Sequence, residues 1–215
     1  MAPDELVNVI VADNPQLRDG SARSLLLGAA IRRLIDGDEA SIRVLDISNE
    51  ISMSPSVIYS NFDSRQGLID AAYLEIYRSV TAASYRAIDE IASSADSTAL
   101  AVRWSPGFDT DERLHRDAVR RRVRLRVLAA AITRRRLQRD VVREREAYQA
   151  SLTSMFADLQ RRGVLVTTLS ARQLAVVHEG LDLVRAIDET MPTPLSADEW
   201  NEVKRVVFEV NATQP

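Results

Sequence analysis

Several residue types and segments on which common protein functions depend are missing or scarce in this sequence. Cysteine is absent, which excludes disulfide bonds and thiol chemistry, and the two histidines lie far apart, which disfavours a zinc site. No apolar run approaches the roughly 18 residues of a membrane-spanning helix, and no basic residues open the N-terminus as they open a signal peptide. We therefore expect a cytoplasmic protein with no metal, no cofactor and no membrane contact.

Glycine and proline are also scarce, at seven residues each in a chain of 215, and the residues that remain favour helices. Hydrophobic residues make up 46% of the chain and recur three and four positions apart, which is the spacing of one helical face. This pattern predicts an all-α protein. The predicted helices cover residues 21–37, 41–50, 55–61, 63–91, 112–163 with a bend at LAAAITRRR, 170–189 and 196–211.

Charge is distributed unevenly along the chain. Residues 1–80 hold seven Arg and twelve acidic residues, whereas residues 113–145 hold thirteen Arg and three acidic residues. Lysine is almost absent, since 27 of the 28 basic residues are Arg, which is typical of a GC-rich codon bias. The Arg-rich segment is therefore interpreted either as a solvated face paired with acids of other helices or as a site for an acidic ligand.

The stretch ISMSPSVIYSNFDSRQGL, residues 51–68, contains two helix starts separated by one short helix. Ser54 is a candidate N-cap and Pro55 suits the first helical position, while Asp63 and Gln66 repeat a capping signal for the next helix. Ile58 and Phe62, four apart, are predicted to face inward. A helix this short requires its neighbours for stability, and this arrangement is typical of a helix-turn-helix, whose second helix enters the DNA major groove.

The residues of this stretch resemble the N-terminal domain of the tetracycline-repressor (TetR-type) family of bacterial transcriptional regulators, over residues 23–68. The family pattern is a serine cap, a short helix ending in Tyr, then Phe, a Ser-Lys pair and Leu, and an Asp-Ile pair stands in the preceding helix. The matching residues are Asp46-Ile47, Ser54, Tyr59, Phe62, Ser64, Arg65 and Leu68. The resemblance implies a three-helix DNA-binding domain over residues 1–66 and a helical ligand-binding and dimerisation domain over residues 67–215.

The resemblance also implies roles for single residues in the DNA-binding domain. Arg43, Tyr59, Asn61 and Arg65 would bind phosphate oxygens, which set the register of a protein on DNA. The residues nearest the bases would be Ser54, Pro55, Ser56, Val57 and Ser60. The chain departs from the family at Ser52, where the family has Gly in the turn, and at Ser56-Val57, where it has Gly-Thr.

The remaining candidate sites fall in the second domain. The candidate ligand-binding residues are Trp104, Phe108, Arg120, Arg124 and Tyr148, and Arg135 with Arg139 forms a second same-face pair. The last two helices are expected to form the dimer, with Val177, Leu181, Val184 and Val207 as candidate interface residues. Neither a nucleophile–base pair nor a phosphate-binding glycine loop is recognisable, so we expect no enzymatic activity.

Together these observations favour a homodimeric, ligand-responsive transcriptional regulator that acts as a repressor. Its expected partners are palindromic operator DNA, a second copy of itself and a small-molecule effector. The alternative, motivated by the acidic N-terminal residues, is a ligand-binding or protein-interaction module of the same fold with weakened DNA binding. A further alternative is nonspecific nucleic-acid binding through the Arg-rich segment.

Overall fold

The computed structural model describes Leu17 and residues 19–93 and 111–208, and this part of the chain is helical, which confirms the all-α prediction. A break at residues 133–134 interrupts the long predicted helix over 112–163, within the stretch where a bend was predicted. The helices are α1 (Ala22–Asp36), α2 (Val44–Glu50), α3 (Ser56–Phe62), α4 (Arg65–Ser93), α5 (Asp111–Ile132), α6 (Arg135–Arg161), α7 (Ala171–Asp188) and α8 (Ala197–Phe208). None of these described helices is both long and apolar enough to span a membrane.

Residue contacts divide the chain into two compact units. The first unit contains the described residues up to Thr81 together with Val123–Arg143. The second contains the described residues of Ala82–Arg122 and those from Glu144 onward. This division assigns part of the Arg-rich segment to the unit that contains α1, α2 and α3. The predicted functional boundary between residues 66 and 67 stays a prediction.

Local capping and burial define the start of the first unit. The Ser21 hydroxyl accepts a hydrogen bond from the Ser24 N–H at 3.1 Å and caps α1. α1 then buries a continuous apolar face against α2, α3 and the short 3-10 turn Glu39–Ser41. The buried side chains of α1 are those of Leu26, Leu27, Ala29, Ala30, Ile31 and Leu34, and most of them were predicted to face inward.

The second unit has its own apolar core and its own helix caps. Ser170 and Gln173 form the predicted capping box at the start of α7, with the Ser170 N–H donating to Gln173 Oε1 at 2.8 Å. Ser196 and Glu199 form the same reciprocal pair before α8. The core cluster of this unit includes Tyr148, Leu152, Met155, Phe156, Leu159 and Leu174.

Candidate nucleic-acid interface

Helix α3 is anchored by one face and exposes the other. Ile58 and Phe62 are buried, which is the orientation predicted from their spacing. On the outer side lie Ser56, Tyr59 and Ser60. Tyr59 is 52% exposed, and within the described residues its hydroxyl has no hydrogen-bond partner. A large side chain with an unused hydroxyl on a fixed helix is suited to bind an external acceptor.

The first turn of α3 is closed differently from the prediction. Pro55 has helical dihedral angles, φ −55° and ψ −28°, directly before Ser56, where its missing N–H costs nothing. The Ser54 hydroxyl was predicted to accept a backbone N–H, and this is wrong, because it pairs with the Ser56 hydroxyl at 2.6 Å. The Ser54 carbonyl accepts the Val57 N–H at 3.0 Å instead. Two adjacent hydroxyls are thereby presented on the exposed side of α3.

The turn between α2 and α3 contains a non-glycine residue in the left-handed region. Ser52 has φ +56°, and the Met53 N–H donates to the Ser48 carbonyl at 2.9 Å to close the turn. A Cβ in this conformation costs about 1–2 kcal/mol relative to glycine. Ser52, which stands where the family has Gly, therefore carries this cost.

The turn between α3 and α4 requires Gly67, which the sequence analysis did not identify, and is capped by Ser64. Asp63 has φ +64° and does not cap α4, so that prediction is wrong. Ser64 is the cap, because its hydroxyl accepts the Gly67 N–H at 2.9 Å. A Cβ at Gly67 would lie 1.9 Å from the Phe62 carbonyl oxygen, a distance that requires the backbone to move. The recognisable signal was a glycine in the first turn of a long helix, where it lowers helix propensity.

Two of the predicted phosphate ligands are engaged by the protein itself. Arg65 is half-buried, and its guanidinium donates to the carbonyls of Glu39 and Ile42, the latter at 2.6 Å. The Asn61 side-chain amide donates to the Val57 carbonyl at 2.8 Å. These bonds fix the segments before α2 and at the end of α3. Arg65 keeps further N–H donors, whereas the second amide N–H of Asn61 is directed at Ser60 Oγ at 3.4 Å. Phosphate binding by Arg65 and Asn61 stays a prediction, as it does for the exposed Arg43.

Arg23 holds the C-terminal end of α3, and the sequence analysis did not identify it. Its guanidinium donates to the Asn61 carbonyl at 2.8 Å and lies 4.5 Å from the centroid of the Phe62 ring. The last carbonyls of a helix lack partners within the helix and carry partial negative charge, so a cation at this end stabilises it. Arg23 lies 38 positions from Asn61. Such a separation gives no local sequence signal.

Arg134, at the break between α5 and α6, forms a charged cluster with residues of the first unit. It pairs with Glu39 in the 3-10 turn and with Asp70 of α4, the latter at 3.2 Å. Tyr73 donates its hydroxyl hydrogen to Glu39 Oε1 at 3.0 Å. Burial, followed by this hydrogen bond to a carboxylate, raises the pKa of Tyr73 to about 12. Arg126 adds hydrogen bonds to the carbonyls of Leu34 and Gly37 at the end of α1.

Because residues 123–143 belong to the first unit, its net charge is less negative than that of residues 1–80 alone. By sequence the residues of this unit, 1–81 and 123–143, include fourteen Arg and thirteen acidic residues, a net charge of +1, because residues 123–143 contribute seven Arg and one Asp. The acidic character of residues 1–80 is therefore offset by the Arg-rich segment folded against them. Electrostatic repulsion of DNA does not follow from the N-terminal sequence alone.

Known structures resemble this chain, although no protein-family model and no curated protein matches it. A candidate TetR-family transcriptional regulator from Mesorhizobium loti superposes with a TM-score of 0.58 at 18% identity, covering 97% of this chain and 98% of the other. A TetR/AcrR-family regulator from Thermobifida fusca gives 0.57 at 18% identity over 90% and 98%. A candidate transcriptional regulator from Saccharomonospora viridis, crystallised in complex with choline, gives 0.63 at 20% identity over 88% and 96%. The chain has the TetR-type fold. The resemblance seen in residues 23–68 is thus confirmed for the fold of nearly the whole chain.

The predicted ligand residues of the TetR-type fold are dispersed in the structure. Trp104 and Phe108 lie outside the described residues. Tyr148 is buried in the apolar core of the second unit, with its ring 5.6 Å from that of Tyr85 in an edge-to-face arrangement. Arg120 is half-buried in the second unit, whereas Arg124 is buried in the first. The two arginines are therefore assigned to different units, and their joint role in ligand binding stays a prediction.

Among the described residues, four arginines of the Arg-rich segment form ion pairs with acids outside that segment, as the solvated and paired interpretation predicts: Arg121, Arg134, Arg136 and Arg145. In the second unit Arg121 pairs with Glu189, and Arg145 binds the buried carboxylate of Glu179 through Nε at 3.0 Å. Gln149 donates a further hydrogen bond to Glu179 at 2.7 Å. A buried carboxylate requires this kind of compensation. Among the described residues no group of three potential ligands for a metal ion is present.

The predicted dimer residues differ in their exposure to solvent. Leu181 and Val207 pack against the core cluster of the second unit, and Val177 is half-buried. Val184 is 56% exposed, and Val176 and Ile187 on the same helix are exposed as well. Residues 176, 180, 184 and 187 share one helical face by their spacing. The exposed apolar side chains of α7 are therefore Val176, Val184 and Ile187, with Val184 the most exposed.

Proposed function

We propose that this chain is a DNA-binding transcriptional regulator. The single observation that carries the proposal is the short helix α3, whose buried Ile58 and Phe62 fix it while Ser54, Ser56 and Tyr59 remain on its exposed side. A helix held in this way is able to enter a major groove and bring hydroxyls to base edges and phosphates. Residues 123–143 of the first unit, with seven Arg and one Asp, supply positive charge for binding to a polyanion.

The regulator acts as a homodimer whose DNA affinity depends on an effector. The exposed face of α7 around Val184 supports self-association, and a two-fold dimer fits a palindromic operator. The similar regulator from Saccharomonospora viridis was crystallised with choline, which supports a small organic effector for the second unit. An effector controls DNA binding only if it binds the two conformational states with different affinities. Repression, by occupation of the operator until the effector binds, is the form of regulation that we propose.

DNA selection with the purified full chain tests this function. A random duplex library is enriched on the protein, and the recovered sequences are titrated at several salt concentrations. A regulator yields a common, palindromic sequence, and its binding constant falls steeply as the salt concentration rises. Recovery of unrelated sequences would favour nonspecific binding, and recovery of none would favour the alternative of a ligand-binding module without tight DNA binding.

The effector class is tested by thermal-shift screening of acidic, cationic and neutral metabolites. The ion pairs of Arg121 and Arg145 reduce the number of arginines available to an acidic ligand. Stabilisation by acidic compounds that is lost in Arg120→Ala and Arg124→Ala would support the acidic effector. Stabilisation by neutral or cationic compounds alone would remove it.

A further inference from the structure

Three arginines form a continuous charged stripe along the first half of α6. Arg136, Arg139 and Arg143 are spaced three and four positions apart, so they share one face of the helix. All three are exposed, whereas Leu137 and Val141 on the opposite side are buried. We call these three residues the arginine stripe.

The charge of the arginine stripe is almost uncompensated. Neither Arg139 nor Arg143 has an ion-pair partner within the described residues. Arg136 approaches Asp63 at 3.5 Å, and these side chains are 68% and 82% exposed. An exposed pair with this geometry contributes little. The stripe thus has three cations available to an external anion.

The stripe begins beside α3. Asp63, which Arg136 approaches, directly follows Phe62, the last residue of α3. A helix rises about 1.5 Å per residue, so the stripe extends about 10 Å from that point. Double-stranded DNA carries one charge per about 1.7 Å of its axis. Over about 10 Å a duplex presents about six phosphate charges, so the three guanidinium groups next to a groove-binding helix have enough phosphates within their length to bind.

We propose that the arginine stripe binds DNA phosphates that flank the site entered by α3. The proposal rests on the proposed function and extends the DNA contact beyond the three-helix domain, into the residues to which the resemblance assigns ligand binding and dimerisation. Arg65, the expected phosphate ligand at the start of α4, already donates to the Glu39 and Ile42 carbonyls. Additional arginines that contact phosphates would therefore strengthen DNA binding. Guanidinium groups bind phosphate oxygens with two parallel hydrogen bonds.

The test compares two triple variants of the full chain on two duplexes. The first variant carries Arg136→Gln, Arg139→Gln and Arg143→Gln. The matched control removes the same charge from exposed positions of the second unit, by Arg122→Gln, Arg161→Gln and Arg172→Gln. The selected site is presented either in a 40-base-pair duplex, with flanks, or trimmed to its ends, and binding is titrated from about 50 to 200 mM salt.

On the long duplex we expect the stripe variant to bind about tenfold or more weakly than wild type at the lowest salt concentration. The slope of the logarithm of its binding constant against the logarithm of salt concentration should become shallower by about 1 for each phosphate contact removed. On the trimmed duplex the wild type and the stripe variant should bind with similar affinity. The control variant should bind both duplexes with the affinity of wild type. Equal slopes for stripe variant and control would overturn the proposal while leaving the function intact. Failure of wild type to bind any selected duplex would overturn both. Circular dichroism melting confirms folding, and Arg139→Gln alone repeats the comparison should the triple variant melt early.

Discussion

At the scale of single residues, substitution of Tyr59 distinguishes a DNA-contacting role of this side chain from a structural one. It is half-exposed on α3 and its hydroxyl bonds no other described residue, so Tyr59→Phe should leave the melting temperature nearly unchanged. Loss of one hydrogen bond to a charged acceptor should weaken operator binding by roughly 1.5–3 kcal/mol per site, measured by fluorescence anisotropy. A large loss of stability with intact DNA binding would show that Tyr59 belongs to the core.

Gly67 illustrates a residue whose importance comes from one close approach. Gly67→Ala places a Cβ 1.9 Å from the Phe62 carbonyl oxygen, so the turn between α3 and α4 must open, at a cost of roughly 1–3 kcal/mol in the free energy of unfolding. Gly28→Ala in α1 is the control, because its Cβ would meet only Arg32 Nη1 at 3.7 Å. We expect the control to be neutral or slightly stabilising in urea unfolding. Equal stability of the two variants would contradict this account.

At the scale of helices and turns, the cluster of Glu39, Tyr73 and Arg134 predicts a pH dependence. A tyrosine ionises near pH 10 in the unfolded chain but near pH 12 here. Between these values the folded state binds more protons, so the free energy of unfolding falls as the pH rises. Wild type should therefore exceed Tyr73→Phe in stability at pH 9 and lose this advantage towards pH 12, measured by urea unfolding. A constant difference would show that Tyr73 does not titrate in this way.

The same scale shows what the sequence can and cannot predict. Periodicity and capping signals predicted the helices, the inward pair Ile58 and Phe62 and the capping box at Ser170, because these depend on residues within a few positions of one another. Choices between equivalent local partners were not predictable, so the cap of α4 was assigned to Asp63 and not to Ser64. Long-range contacts gave no signal at all. Arg23 on Asn61 and Arg134 on Glu39 join residues 38 and 95 positions apart.

At the scale of the whole molecule, self-association should depend on the exposed face of α7 and not on all four predicted dimer residues. Val184 is 56% exposed, so Val184→Asp should convert dimer to monomer while the melting curve of the monomer stays cooperative. Leu181 packs against the core cluster. Leu181→Asp should therefore destabilise the fold itself, by about 2–5 kcal/mol for the lost packing alone.

Oligomeric state is measured by analytical ultracentrifugation over a range of protein concentrations, with melting followed in parallel. Ile132→Asp, at a 76% exposed apolar position of the first unit, controls for the added charge and should remain dimeric. Because a two-fold dimer brings two copies of α3 to one operator, Val184→Asp should also lose affinity for the palindrome while keeping weak affinity for a half-site. A dimer that survives Val184→Asp unchanged would place the interface elsewhere on the chain.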